Sequence, residues 1–194
     1  MRYIRLLSGA GLAVAVTLLA VGCGTTTSSS NTGYQTSPAA TSPKTAPVAS
    51  APAAAPQPLG PAPAFTVTDT DGQTVTVPSA HTTVLYFMAA WCGSCAAGEQ
   101  QLAQMQPQLP PGVQMVSLDV TPQTDTPAAL DKLAAAAGAK WPQAFASNAV
   151  ISAYKVAYLD TVAVVSSKGQ LLYKGPIPSA DQLLSIVRGT AGKD

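Results

Sequence analysis

The sequence carries little charge of either sign, and this excludes whole classes of partner. Asp, Glu, Lys and Arg make up 10% of the residues, with 10 basic against 9 acidic side chains. Two of the basic residues, Arg2 and Arg5, lie at the very N-terminus, and without them the formal balance is −1. No basic patch and no block of like charge occurs. We therefore expect neither a nucleic-acid ligand nor a partner recognised by bulk charge.

Histidine and cysteine are equally scarce. His81 is the only histidine and has no cluster of cysteine, histidine or carboxylate neighbours along the chain, so we expect a loop residue and no metal centre. A Gly-rich phosphate loop and a Ser/His/Asp arrangement are also lacking. The three cysteines occur in two settings, with Cys23 alone near the N-terminus and Cys92 close to Cys95.

The one long apolar run lies at the N-terminus. Residues 6–21 follow a short basic head, and this run is shorter than the roughly 20 residues that span a membrane. A basic head, a short apolar stretch and small residues before a cut are typical of an export signal. Residues 20–23 (AVGC) resemble the bacterial lipoprotein cleavage box, which implies cleavage before Cys23 and a lipid on its sulfur. An ordinary secreted protein cut elsewhere, or an uncleaved anchor, stays open.

The composition divides the chain into three parts. Residues 1–22 form the predicted signal peptide. Residues 23–63 begin with the lipidated cysteine and are rich in Ser, Thr, Ala and Pro, with almost no large apolar side chain, so we expect a disordered tether. Residues 64–194 have the length of one domain with one core.

Short strands and helices alternate in this domain. Residues 65–77 alternate apolar and polar side chains around Asp71-Gly72 and predict a hairpin. Further strands are predicted at 84–89, 113–120, 161–166 and 170–174, and helices at 95–106, 126–137, 147–154 and 179–188. This order predicts an α/β fold, with helices flanking a sheet of mixed strand direction and a hairpin added at its N-terminus.

Residues 91–95 (WCGSC) are the strongest functional signal in the chain. They lie where the apolar strand 84–89 gives way to a helix. Two cysteines separated by two residues close a small, reducible ring, and a helix N-terminus favours the thiolate of the first. So short a ring constrains the unfolded chain little, since stabilisation grows with loop length. The spacing therefore favours thiol–disulfide exchange over structural bracing.

This order of elements resembles the thioredoxin fold, and the added hairpin resembles the TlpA/ResA-like branch of extracytoplasmic thiol–disulfide oxidoreductases. The resemblance covers about residues 63–190 and implies that Cys92 attacks a partner and that the more buried Cys95 resolves the mixed disulfide. Gly93 and Ser94, inside the ring, then influence the direction of electron flow. Trp91 is expected to pack beside the site. No cofactor beyond the cysteine pair is implied.

The first departure from thioredoxin concerns the proton acceptor. Thioredoxins place a buried Asp six residues before the first cysteine, whereas this chain has Tyr86 there. A buried Tyr is a poor base near neutral pH, since its ordinary pKa is about 10. Glu99, one helical turn after Cys95, is a candidate for the relay, and a solvated helix residue is the alternative.

The second departure concerns the loop that faces the cysteines. The family has a cis-proline there, and Asp160 occupies that position in this chain. Because a cis bond before a non-proline residue costs about 3–4 kcal/mol, we predict a trans Leu159–Asp160 bond. We expect Asp160 to point toward the sulfurs, where it disfavours the Cys92 thiolate or accepts a proton. An Asp that only caps its own turn is the alternative.

Together these features predict a lipid-anchored thiol–disulfide oxidoreductase on the extracytoplasmic face of a bacterial membrane. The family resemblance implies exported protein thiols or disulfides as partners, such as apocytochrome c, with a membrane electron donor or acceptor. We expect reduction of partners, and introduction of disulfides stays open. A thiol-based metal-binding or delivery module and a non-catalytic interaction domain are the two competing interpretations.

Overall fold

The computed structural model describes residues 57–191, which form a six-stranded sheet, a separate two-stranded hairpin, four α-helices and one short 3-10 helix, Gln106–Gln108. The eight strands are β1 (Gly60–Pro61), β2 (Phe65–Thr68), β3 (Thr74–Val77), β4 (Thr83–Met88), β5 (Gln114–Asp119), β6 (Gln143–Phe145), β7 (Thr161–Val165) and β8 (Gln170–Pro176). The helices are α1 (Gly93–Met105), α2 (Pro127–Ala137), α3 (Asn148–Ala153) and α4 (Ala180–Ala191). The predicted α/β class is confirmed.

The sheet has the strand order β1-β8-β7-β4-β5-β6. β4, β5 and β6 are parallel, while β7, β8 and β1 run antiparallel to their neighbours. β4 is buried along its whole length because it lies in the middle of the sheet with layers on both faces. The cysteine motif follows directly after β4, so the site lies at the carboxyl ends of the parallel strands.

Alternate residues of β4 enter two different apolar clusters. Tyr86 and Met88 belong to the cluster that includes buried residues of α1, α2 and α4. Leu85 and Phe87 belong to the cluster that includes Tyr154, beside α3, and the hairpin β2–β3. The sheet therefore lies between three helices on one face and one helix with the hairpin on the other.

Local capping signals locate the helix ends as predicted. The Thr126 hydroxyl accepts the Ala129 N–H at the start of α2, and Gly138 ends that helix with φ of 77°. The Ser179 hydroxyl accepts the Gln182 N–H at the start of α4. Because these signals act within a few residues, the sequence reveals them directly.

The sequence did not predict two of the strands, β1 and β6. β6 pairs with β5 at the far edge of the sheet, and β1 pairs with β8 at the other edge. The bonds of β1 correct the predicted boundary at residue 63, since the Leu59 N–H donates to Leu171 O and the Ala62 N–H to Gly169 O. Residues 60–63 thus belong to the fold, although their composition continues that of the predicted tether.

The signal peptide at 1–22, Cys23 and most of the predicted tether lie outside the described residues. Within residues 57–191, no helix is both long and apolar enough to cross a membrane.

Candidate active site

The two cysteines of the WCGSC motif lie at the start of α1 and form a disulfide with a Cα–Cα distance of 5.2 Å. Cys95 is wholly buried, and Cys92 keeps 8% of its surface exposed. The predicted difference in exposure between the two sulfurs is therefore confirmed. The disulfide corresponds to the oxidised state of an exchange pair.

Cys92 is itself the N-cap of α1. Its Sγ accepts the Cys95 N–H at 3.2 Å and lies 3.2 Å from the Ser94 hydroxyl. The unpaired N–H groups of a helix start favour negative charge nearby, so the same contacts favour a thiolate on Cys92 after reduction. Gly93 and Ser94 are exposed within the ring, which keeps this end of the helix open to a partner.

Trp91 stands out from the surface beside the disulfide, with 63% of its side chain exposed. Its indole Nε1 donates to the Thr121 hydroxyl at 3.2 Å. This single polar bond fixes one edge of the ring and leaves the other to solvent or to a partner. Trp91 therefore does not pack against the site as predicted, because most of its ring faces solvent.

A pair of carboxyl groups, Asp119 and Asp125, supports the loop before Cys92. Both accept the Ala90 N–H, at 3.0 and 2.9 Å, and both contact the Thr121 hydroxyl, at 3.1 and 2.9 Å. Burial and the neighbouring Asp125 carboxyl raise the pKa of Asp119 to about 6. The Thr121 hydroxyl therefore links this acidic pair to the indole of Trp91.

The sequence analysis did not predict this acidic pair, although the position of Asp119 at the end of a strand indicates it. Asp119 is the last residue of β5, and Met88 pairs with it at the end of the parallel strand β4. Carboxyl ends of parallel strands meet at one edge of a sheet, where sites are usually built. Asp119 was therefore a candidate for contact with the residues that follow β4.

Asp160 lies where it was predicted, facing the sulfurs. A carboxylate oxygen of Asp160 and the Sγ atoms of Cys92 and Cys95 all lie within 4.8 Å of one another. In the described part of the chain the one cis peptide bond is Val77–Pro78, so the predicted trans Leu159–Asp160 bond is confirmed. Asp160 adopts a left-handed conformation with φ of 61°, which Asp tolerates better than most residues.

Tyr86 holds this carboxylate in place. Its hydroxyl donates to Asp160 Oδ1 and also lies 3.1 Å from the Cys95 carbonyl. Burial, together with the Asp160 carboxylate, raises the pKa of Tyr86 far above its usual range, so the phenol stays a donor. At the position where thioredoxins carry an acid, this chain has a donor that orients an acid from another loop.

Gly98 provides the room for this arrangement. It lies on α1, and a Cβ at this position would overlap the Tyr86 hydroxyl and lie 2.6 Å from Ile177 Cδ1 and 3.0 Å from Asp160 Oδ1. The close approach of the Tyr86 hydroxyl to the helix backbone therefore requires glycine.

Glu99 is fully buried, so the alternative of a solvated helix residue is wrong. Its carboxylate accepts the Ser117 hydroxyl at 2.8 Å and Gln143 Nε2 at 2.9 Å, while Trp141 Nε1 donates to the Ser117 oxygen at 2.8 Å. Burial raises the pKa of Glu99, and the hydrogen bonds oppose this shift. The three partners come from β5, β6 and the segment before β6, which the sequence did not bring together.

His81 is exposed in the turn before β4, as a loop residue was expected to be. Among the described residues, the one group of three or more cysteine, histidine or carboxylate side chains close enough to hold a metal ion is Cys92, Cys95 and Asp160. The sequence identified the two sulfurs but did not identify a third ligand.

Comparisons with known proteins agree with this geometry. The model of the AhpC/TSA family matches residues 59–174. A protein from Streptomyces lividans, named Mercury resistance operon ORF3, is 29% identical over 131 residues, which cover 66% of this chain and 69% of the relative.

Solved structures show the same fold. The thioredoxin domain of a thiol–disulfide oxidoreductase from Bacteroides vulgatus superposes with a TM-score of 0.59 at 16% identity, over 68% of this chain and 98% of that one. A SCO1/SenC family lipoprotein from Bacillus anthracis superposes with a TM-score of 0.58 at 17% identity, over 70% of this chain and 98% of the other. The predicted thioredoxin-like fold is thus confirmed.

Proposed function

The chain belongs to the AhpC/TSA family, and from this premise we propose that it exchanges disulfides with exported proteins while a lipid on Cys23 holds it at a membrane. It is a thioredoxin-like thiol–disulfide oxidoreductase. One observation carries the proposal: Cys92 Sγ caps α1 and Cys92 keeps 8% of its surface exposed, while its disulfide partner Cys95 keeps none.

The exchange proceeds in two displacements. In the reduced protein the Cys92 thiolate attacks one sulfur of a partner disulfide, forms a mixed disulfide and releases the other partner sulfur as a thiolate. Cys95 then loses its proton and attacks Cys92 Sγ, which closes the ring and releases the second partner sulfur. The partner gains two electrons and two protons, and a membrane electron donor has to reduce the ring again.

Asp160 is the proton acceptor that we propose for Cys95. Its carboxylate lies within 4.8 Å of both sulfurs, and the Tyr86 hydroxyl donates to it and lies 3.1 Å from the Cys95 carbonyl. A proton from the Cys95 thiol therefore has a nearby carboxylate that is already oriented. Glu99 stays a second candidate for the relay, because it is buried on the same helix.

Reduction is the direction that we propose, with exported disulfides such as those of apocytochrome c as substrates. Gly93 and Ser94 alone do not decide the direction, because relatives with this fold have potentials from about −270 to −120 mV. One protein with the same fold is named a lipoprotein, which supports the lipid anchor in this proposal.

Insulin reduction, together with the equilibrium potential against glutathione, tests the activity and its direction. We expect turnover by the wild type, none by the Cys92→Ala variant, and a potential nearer the thioredoxin value of about −270 mV. Absence of turnover would instead support a non-catalytic interaction domain. A potential near −120 mV would reverse the proposed direction.

The anchor is tested separately in cells. The wild type should fractionate with membranes and incorporate labelled fatty acid, and the Cys23→Ser variant should do neither. Equal labelling of both proteins would contradict lipidation at Cys23. The trapping variant Cys95→Ala, expressed in the same cells, should accumulate mixed disulfides on Cys92, and the released partners identify the substrates.

A further inference from the structure

We propose that the reduced protein binds a borderline-soft divalent cation of the Zn²⁺ class through the thiolates of Cys92 and Cys95 and the carboxylate of Asp160. The three donors come from two distant parts of the chain, the start of α1 and the turn before β7. They nevertheless lie within 4.8 Å of one another. This proposal goes beyond disulfide exchange because it adds a reversibly bound metal ion to the reduced protein.

The donor types suit such a cation. Thiolates select soft and borderline metals, and Zn²⁺ also accepts a carboxylate oxygen in its tetrahedral sites. With Zn–S near 2.3 Å and Zn–O near 2.1 Å, tetrahedral donors lie roughly 3.5–3.8 Å apart. The Asp160 oxygen lies no farther than 4.8 Å from either sulfur, so it needs to approach by about an ångström or less to meet these distances. Only the two sulfurs have to separate, and reduction of their bond permits that.

The third ligand is held by the surrounding structure. Asp160 has a φ of 61°, and the Tyr86 hydroxyl binds its Oδ1. The lone pairs of the carboxylate that Tyr86 does not use then remain for a cation. Carboxylate ligands in metal sites are commonly held by such an outer hydrogen bond. Tyr86 is buried, and its hydroxyl donates to Asp160 and lies 3.1 Å from the Cys95 carbonyl, so its position is well determined.

The Cys95 end of the site is fixed by the helix, and the Cys92 end is partly open. Cys95 is fully buried, whereas Cys92 keeps 8% of its surface exposed beside the exposed residues Gly93 and Ser94. Three protein ligands leave the fourth tetrahedral position to water or to a donor from a partner. A cation bound here is therefore exchangeable, unlike a cation in a closed structural site with four protein ligands.

Cation binding and the disulfide exclude each other. Binding of M²⁺ to the two thiols releases two protons and forms two metal–thiolate bonds. A partner disulfide that oxidises the loaded site takes up two electrons and two protons to give two thiols. The ring disulfide forms and M²⁺ is released. The cation thus occupies only the reduced state and competes with partners for the Cys92 sulfur.

The test is a zinc titration of the reduced full-length protein against a chromophoric chelator without oxygen. We expect one Zn²⁺ per chain, and no such binding by the oxidised protein. Asp160→Asn tolerates the left-handed backbone and should weaken binding at least tenfold. Asp71→Asn changes an exposed Asp in the β2–β3 turn and serves as the matched control with unchanged affinity.

A positioning role for Tyr86 gives a second measurement. Tyr86→Phe keeps the ring in the core but frees Asp160 Oδ1, and we expect roughly a tenfold loss of zinc affinity. Charge-transfer absorbance with Cd²⁺ as the probe should report two thiolates in the wild type and in both variants. Equal zinc affinity of the wild type and Asp160→Asn would overturn the proposal, as would undiminished binding by the oxidised form.

The same preparations distinguish this proposal from the proposed function. Insulin reduction is measured after chelator treatment, without added metal. Failure to bind zinc with normal insulin reduction would overturn the cation site alone. Normal zinc binding without insulin reduction would overturn the exchange activity alone.

Discussion

Replacement of Gly98 by alanine should destabilise the protein, although alanine is the better helix former. An added Cβ at Gly98 would overlap the Tyr86 hydroxyl and lie 2.6 Å from Ile177 Cδ1 and 3.0 Å from Asp160 Oδ1. The Tyr86 ring lies in the core and cannot move freely. The added methyl group therefore displaces the hydrogen bond between Tyr86 and Asp160, or shifts α1 itself.

The magnitude follows from two opposing effects. Alanine in place of a helical glycine gains about 0.5–1 kcal/mol. Overpacking a buried site costs about 1–3 kcal/mol, and a displaced hydrogen bond to a charged group adds to that cost. We therefore expect the free energy of unfolding to fall by about 1–3 kcal/mol.

Denaturant unfolding of the oxidised protein measures this change. Gly93→Ala is the matched control, since it places the same methyl group on the same helix, where nothing lies within 4 Å of the new Cβ. We expect Gly93→Ala to leave stability unchanged or slightly higher. A Gly98→Ala protein as stable as the wild type would refute the close packing of α1 on Tyr86.

Three further predictions concern the carboxyl groups around the site. The pKa of Asp119 is about 6 in the folded protein, so the folded protein keeps a proton that the unfolded chain loses near pH 4. The free energy of unfolding should therefore fall as the pH rises from 4 to 6 and level off above pH 6. Asp119→Asn should flatten this pH dependence in denaturant titrations, and an unchanged slope would contradict the raised pKa of Asp119. Glu99→Gln should raise stability at pH 8 by about 1 kcal/mol, because burial disfavours the charged form of Glu99 and the amide oxygen still accepts Gln143 Nε2; a loss of stability would show that the carboxyl group itself is needed. Thr121→Val should free the indole of Trp91 to rotate, because it removes the acceptor of the Nε1–H. We expect faster fluorescence depolarisation than in the wild type, with Trp91→Phe as the reference. Equal depolarisation in Thr121→Val and the wild type would show that the Thr121 hydroxyl does not hold the ring.

The features that were predictable from the sequence depend on neighbours along the chain. Thr126 with Pro127 begins α2 and Gly138 ends it, because capping acts over three or four residues. Cys92 and Cys95 are likewise placed by their spacing at a helix start. These elements needed no knowledge of tertiary contacts.

The features that were missed depend on contacts between distant segments. β6 has three residues and no clear alternation, and it becomes a strand only because β5 pairs with it. Asp119 becomes part of the site because the ends of two parallel strands meet. Glu99 lies on a helix whose sequence does not reveal which face is buried, and its partners come from the next strands.

Asp160 lies between these cases. Its position opposite the cysteines followed from the family resemblance, and the structure confirms it. The sequence did not reveal that Tyr86, which appeared only as a missing acid, would hold this carboxylate. The two departures from thioredoxin are therefore one arrangement, in which the acid comes from the opposite loop.

The most direct test of the central claim is the rate at which each variant that keeps one cysteine of the pair reacts with dithionitrobenzoate at neutral pH, with Cys23 replaced by serine in both. Cys95→Ala retains the sulfur at the helix start, and we expect it to react at least tenfold faster than Cys92→Ala, whose remaining sulfur is buried. Equal rates, or a faster reaction of the Cys92→Ala variant, would contradict the assignment of Cys92 as the attacking sulfur.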